Sequence, residues 1–160
     1  MKTNLFAAFA ALAISFHSVV AGNVNDTIEV LRATYKADRQ AILAETLQLT
    51  ETESAAFWPL YRAYRADMDQ IGDGLVKLVL EYGDVYPDMS ESRAAEMLKE
   101  YLALEQKLAS KRATYLKRAA KVLPATKTLR WAQLESRLDL ALRLQLAGAI
   151  PMVPTPEAKP

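Results

Sequence analysis

The chain contains no cysteine. That excludes disulfides, thiolate metal sites, haem attachment and a cysteine nucleophile. Histidine is nearly absent as well: the one copy is His17, in a segment read below as a removed leader. Zinc sites draw on Cys and His, and His is the commonest general base. Only carboxylates, Lys, Tyr, Ser and Thr are left for chemistry. No catalytic residues, no cofactor and no metal ligands are therefore expected, and the chain is not read as an enzyme. Glycine and proline are sparse, 5 and 7 among 160 residues, while 51% of residues are hydrophobic. That balance argues against general disorder and gives room for one domain with a core, not two.

Long apolar runs are lacking except at the start. Lys2 gives a short positive segment, Leu5–Ile14 is unbroken and apolar, and Val19-Val20-Ala21 places small residues at a cleavage site. A retained anchor would want about 20 predominantly apolar residues. Here Asn4, His17 and Ser18 surround a shorter apolar centre. Residues 1–21 read as a signal peptide, residues 22–150 as the exported domain, and 151–160, with four prolines, as a disordered tail. No stable membrane insertion is expected.

What the chain does have is helical periodicity. A first helix is expected from about Asp26, its N-cap, to Leu47, with Ile28, Leu31, Tyr35 and Ile42 on one stripe. Thr50 followed by Glu53 is a capping box that starts a second helix. There Phe57, Tyr61, Tyr64, Met68, Ile71, Leu75, Leu78 and Tyr82 recur at alternating steps of four and three. This repeat describes about 39 Å of one continuous helix. It passes Gly72-Asp73-Gly74 without losing phase, and Pro59 should kink it or mark where its regular part begins. Gly83–Met89 reads as a turn, with Ser90 or Asp88 capping a third helix that ends near Val122. Its expected apolar positions are Met97, Leu98, Tyr101, Leu104, Leu108, Tyr115, Ala119 and Val122.

The fourth helix, about Ala125 to Ala147, carries a conflicting signal. Leu138–Leu146 alternates with a period of two, as a half-buried strand does. Its Leu, Ala, Arg and Gln are helix formers with no β-branched residue among them, so helix is expected. Leu134, Leu138 and Leu142 then share a face with Trp131, while Leu129, Leu140 and Leu144 sit nearly opposite. A helix apolar on two sides lies between layers or meets a partner, a second copy included. The expected fold is all-α: a four-helix hairpin or bundle with long antiparallel second and third helices, compatible with a dimer.

Several motif-like stretches dissolve on inspection. Asp67–Asp73 opens like a calcium loop, but Ile71 and Leu78 stand where ligands are required. Gly72-Asp73-Gly74 has no preceding strand and no following Lys-Ser/Thr, so it is no phosphate loop. Charge is informative by position. Residues 23–105 hold 16 acids against 8 bases; residues 106–144 hold 10 bases against 2 acids. Either the basic segment pairs internally with the acidic one, or it forms a surface for an acidic client or an anionic surface. Lys111, Arg118 and Lys121, on one helical face, are the candidates for such a surface. Trp58 lies in a row with Arg62, Arg65 and Asp69, which makes Trp58 and Arg62 candidate contact residues. Leu140 and Leu144 complete the candidate set from the second side of the fourth helix.

Leu49-Thr50-Glu51-Thr52-Glu53, before the second helix of a cysteine-free, exported, four-helix chain, resembles the Leu-Thr-x-x-Gln motif of Spy/CpxP-type periplasmic chaperones. Glu replaces the motif's Gln, and Leu123-Pro124-Ala125-Thr126-Lys127 keeps only the Leu where a second motif belongs. The resemblance implies a periplasmic, ATP-independent, client-binding protein, usually dimeric, acting on unfolded or envelope proteins. Metal sensing does not carry over, because the histidines that serve it are missing. The alternative expectation is a regulatory or structural envelope protein that docks a sensor domain, a membrane complex or an anionic surface. Nucleic acid is not an expected partner of an exported chain.

Overall fold

Thr50 starts the longest helix as a reciprocal cap. The Glu53 N–H donates to Thr50 Oγ1 at 3.3 Å, and the Thr50 N–H donates to Glu53 Oε2 at 2.8 Å. The computed structural model describes residues 39–148 and 150–155. In that range helix α1 covers residues 39–47, α2 is Glu51–Val85, α3 is Glu91–Ala119 and α4 is Ala125–Ala147. The leader, Asp26, Ile28, Leu31 and Tyr35 lie outside the described residues, as do residues 156–160 of the tail. The fold is all-α, with long antiparallel central helices. Helix α2 runs through both Pro59 and Gly72-Asp73-Gly74. The seam of apolar residues keeps its register across them, because burial of that seam outweighs the local cost of glycine.

Short connections set the topology. Gln48 ends α1 in the left-handed region, φ 45°, with its N–H on the Ala44 carbonyl. The α2–α3 turn contains a cis Tyr86–Pro87 bond, and Ser90 Oγ accepts the Arg93 N–H as the N-cap of α3. Ion pairs record the antiparallel register. Arg93 meets Glu81 near the turn at 2.6 Å, and Lys111 meets Asp67 farther along at 2.9 Å. Helix α4 returns beside α3, where Arg112 pairs with Asp139 and Arg143 with Glu105. It also borders the end of α1, since Arg130 Nη1 donates to the Thr46 carbonyl and Lys127 Nζ to that of Gln48.

The core joins all four helices. Leu43 and Leu47 of α1 pack with Phe57, Tyr61, Tyr64, Met68 and Ile71 of α2, Tyr115 and Ala119 of α3, Leu123, and Trp131 of α4. Trp131 stands edge-on to Phe57 and Tyr64, with centroids 5.3 and 5.1 Å away. Such crossed pairs set the negative ring face against the positive edge. The hairpin is close at Gly74, where a Cβ would lie 2.8 Å from Leu104 Cδ2.

Two corrections concern α3. Leu98 and Tyr101 were expected on its apolar face, and both are exposed. The face that meets α2 is carried by Met97, Leu104, Leu108 and Tyr115; Leu98 is rotated about 100° from Met97, which turns it outward. Val122 is exposed too. The helix ends at Ala119, and after the following turn it is Leu123 that points into the core. The alternating stretch from Leu138 is helical, as its composition required. Leu138 is buried while Leu140 and Leu144 face solvent.

Candidate functional site

Four charged side chains cross the middle of the bundle. Arg39 Nη1 donates to Glu135 Oε2 at 2.7 Å, and the same guanidinium reaches Asp139 at 3.3 Å. Arg112 pairs with Asp139 from α3. Tyr64 donates its hydroxyl to Glu135 Oε2 at 3.2 Å, and Arg65 stands 3.6 Å from the same oxygen. Glu135 is 1% exposed. Burial, and then the Glu135 charge, push the phenols of Tyr61 and Tyr64 well above their ordinary range, so both stay neutral. The network ties α1 and α3 to α4. Glu135 Oε1 and Arg112 Nε, both buried, have no hydrogen-bond partner among the described residues. Glu135 was not singled out by sequence, although its place between Trp131 and Leu138 on the inward stripe is a legible signal.

Next to this network, a cavity of about 280 Å³ opens between α1 and α2, lined by Arg39, Gln40, Tyr61, Arg62, Arg65, Ala66 and Asp69. Arg62 is exposed at its rim and forms no ion pair among the described residues. Trp58, expected in a polar row, is half-buried instead. Its ring packs edge-on against Phe57 at 5.4 Å and Tyr61 at 5.7 Å, so one edge belongs to the core.

The basic segment divides. Lys111 is committed internally: with Tyr115 it donates to Asp67 Oδ2, at 2.9 and 2.8 Å. These hydrogen bonds hold the Asp67 carboxyl below its ordinary pKa. Lys127 does the same for Glu53, at 2.6 Å, reinforced by the Thr50 N–H. Arg118 lies over the Tyr115 ring, 5.2 Å from its centroid, and has no carboxylate partner among the described residues. Lys117, Lys121 and Arg137 likewise form no ion pair among the described residues, and all three are exposed. Of the three candidates on this face, Lys111 is ion-paired, while Arg118 and Lys121 form no ion pair among the described residues.

The other outward feature is aliphatic. Leu140 and Leu144 are 67% and 74% exposed, and on α3 Leu98 and Leu102 are 58% and 56% exposed. The Arg143–Glu105 pair, at 2.9 Å, ties this part of α4 to α3. Tyr101, also exposed, acts on the Arg143 charge. Leu98 was not among the candidate residues because it was expected on the apolar stripe with Tyr101, and Leu102 was not singled out at all.

No group of three or more His, Cys, Asp or Glu able to hold a metal occurs among the described residues. No described helix is long and apolar enough to cross a membrane. No family model matches the chain, and neither the curated proteins nor the solved structures include one that matches it.

Proposed function

We propose that the protein is an exported, ATP-independent holding factor that binds non-native proteins of the cell envelope. The observation that carries this reading is the exposed aliphatic surface of Leu98, Leu102, Leu140 and Leu144. Leu98 and Leu102 are on the half of α3 nearer the α2–α3 turn, Leu140 and Leu144 on the second half of α4, and all four lie outside the core. Unfolded clients expose apolar segments without fixed geometry, and a surface of unpaired leucines takes them up without a shaped pocket. The free cations Arg118, Lys121 and Arg137 add long-range attraction for acidic segments, acting over about 10 Å at 0.1 M salt. The Leu-Thr capping motif at Leu49-Thr50 supports the same reading by its resemblance to periplasmic chaperones.

The test is suppression of light scattering from a chemically unfolded acidic client diluted into buffer without nucleotide. The processed chain is expected to lower scattering at stoichiometric ratios, and less well as salt rises. Unchanged scattering at every ratio, with one saturable folded partner recovered instead, would turn the reading to a docking protein.

A further inference from the structure

Helix α4 segregates its charges. Both of its acids are turned inward: Glu135 is buried on Arg39, and Asp139 is bound between Arg39 and Arg112. Its arginines are exposed: Arg137 forms no ion pair among the described residues, Arg130 donates to the Thr46 carbonyl, and Arg143 pairs with Glu105 of α3. Between them runs an uncharged line of Leu129, Gln133, Ser136, Leu140 and Leu144, every member exposed. The line is about 22 Å long at 1.5 Å per residue. Arg130 and Arg137 lie on one side of it and Arg143 on the other. The outward face thus has an apolar centre, a cationic flank of Arg130 and Arg137, and a second flank where Glu105 of α3 pairs with Arg143.

We propose that this face docks on the surface of an anionic phospholipid bilayer, with α4 lying in the headgroup plane. A second copy fits poorly, because two such faces would bring Arg130 and Arg137 together while the acid at the edge, Glu105, is already held by Arg143. A peptide groove fits poorly as well: the described cavity lies between α1 and α2, and α4 presents a ridge. A ridge with leucines along its centre and arginines along its flanks is what an interfacial helix needs. The leucines enter the acyl boundary while the arginine stems lie along it and their guanidinium groups stay among the phosphates. The core keeps the other side of α4 occupied through Trp131 and Leu138, so docking needs no unfolding. The proposal goes beyond client holding. It shares Leu140 and Leu144 with that reading, so vesicles and clients compete for them.

The experiment is flotation of the processed chain with vesicles of phosphatidylcholine alone or mixed with phosphatidylglycerol, without client. Binding is expected to the mixed vesicles and to fall steeply with salt. Arg130→Gln/Arg137→Gln should weaken it by about 25-fold, taking about five-fold per cation near an anionic surface. Leu140→Gln/Leu144→Gln should weaken it by more than about ten-fold, from the lost apolar burial. The control Lys117→Gln/Lys121→Gln, on another face, should leave binding within about two-fold, well under the loss per cation that contact brings. All these side chains are exposed, and melting temperatures confirm that the variants fold. Equal binding to both vesicle types, no binding to either, or unchanged binding by the leucine variant overturns the proposal. So does a dimer in sedimentation that the leucine variant abolishes. Client holding is read without lipid, and its failure leaves the flotation result standing.

Discussion

Arg39 on α1 reaches Glu135 on α4 at 2.7 Å, with both side chains shut away from solvent. Removing one partner leaves the other charged and buried, at a cost of about 3–5 kcal/mol. Glu135→Leu should therefore lower the urea midpoint sharply. Arg39→Met/Glu135→Leu should recover most of the loss, because well-packed apolar pairs replace buried ion pairs at little cost. A double variant as unstable as the single one would show that the pair also fixes the helix arrangement.

Lys111 and its neighbours give opposite outcomes on one helix. Lys111→Glu sets a second carboxylate beside Asp67 and should lower the melting temperature. Arg118→Glu/Lys121→Glu breaks no ion pair and should leave it nearly unchanged, while weakening capture of an acidic client and flattening its salt dependence. Melting and capture measured on both variants separate structure from binding.

Backbone positions offer a second contrast. Gln48 holds φ 45°, where a side chain is strained, so Gln48→Gly should stabilise by about 1 kcal/mol. Gly83 has nothing within 4 Å of an added Cβ, and Gly83→Ala should gain about 0.5–1 kcal/mol. Gly74→Ala should fail to gain, because its Cβ meets Leu104, and Gly74→Val should lose about 1–3 kcal/mol by overpacking. Denaturant midpoints read all four.

Acid sensitivity follows from Asp67 and Glu53. Their hydrogen bonds to Lys111 and Tyr115, and to Lys127 and Thr50, lower the folded pKa beneath the unfolded one. Their stabilisation is complete above an unfolded carboxylate pKa of about 4, and is lost as pH falls through the folded value. Asp67→Asn should melt below the parent at neutral pH and converge with it in acid. Residues 22–160 hold no histidine, so no imidazole titration should bend the profile between about pH 5 and 8.

The helices were legible wherever one face alone is apolar. Of the α2 seam, Phe57, Tyr61, Tyr64, Met68, Ile71 and Leu78 are buried while Leu75 and Tyr82 are half-buried, and Thr50 and Ser90 cap the helices that follow them. The reading slipped on α3, where Leu98 and Tyr101 have helical spacing to core residues but lie one step round. Periodicity gives the angle between side chains and leaves open which angle faces the neighbour. The pairing of buried Arg39 and Glu135 with half-buried Arg112 and Asp139 was illegible for a related reason. A charge joins a core when another helix brings its counter-ion, and the two sides of the Arg39–Glu135 pair are 96 residues apart. On α4, two apolar sides pointed to a partner, and the outward leucines named for it are the exposed ones.

The central claim is that exposed leucines hold clients, and one comparison tests it most directly. Leu140→Gln/Leu144→Gln is measured beside the parent for suppression of client aggregation, each shown to melt at the same temperature. The account predicts that the variant loses most of its holding capacity at every salt concentration. Full suppression by a folded variant would contradict it and place the client surface elsewhere on the molecule.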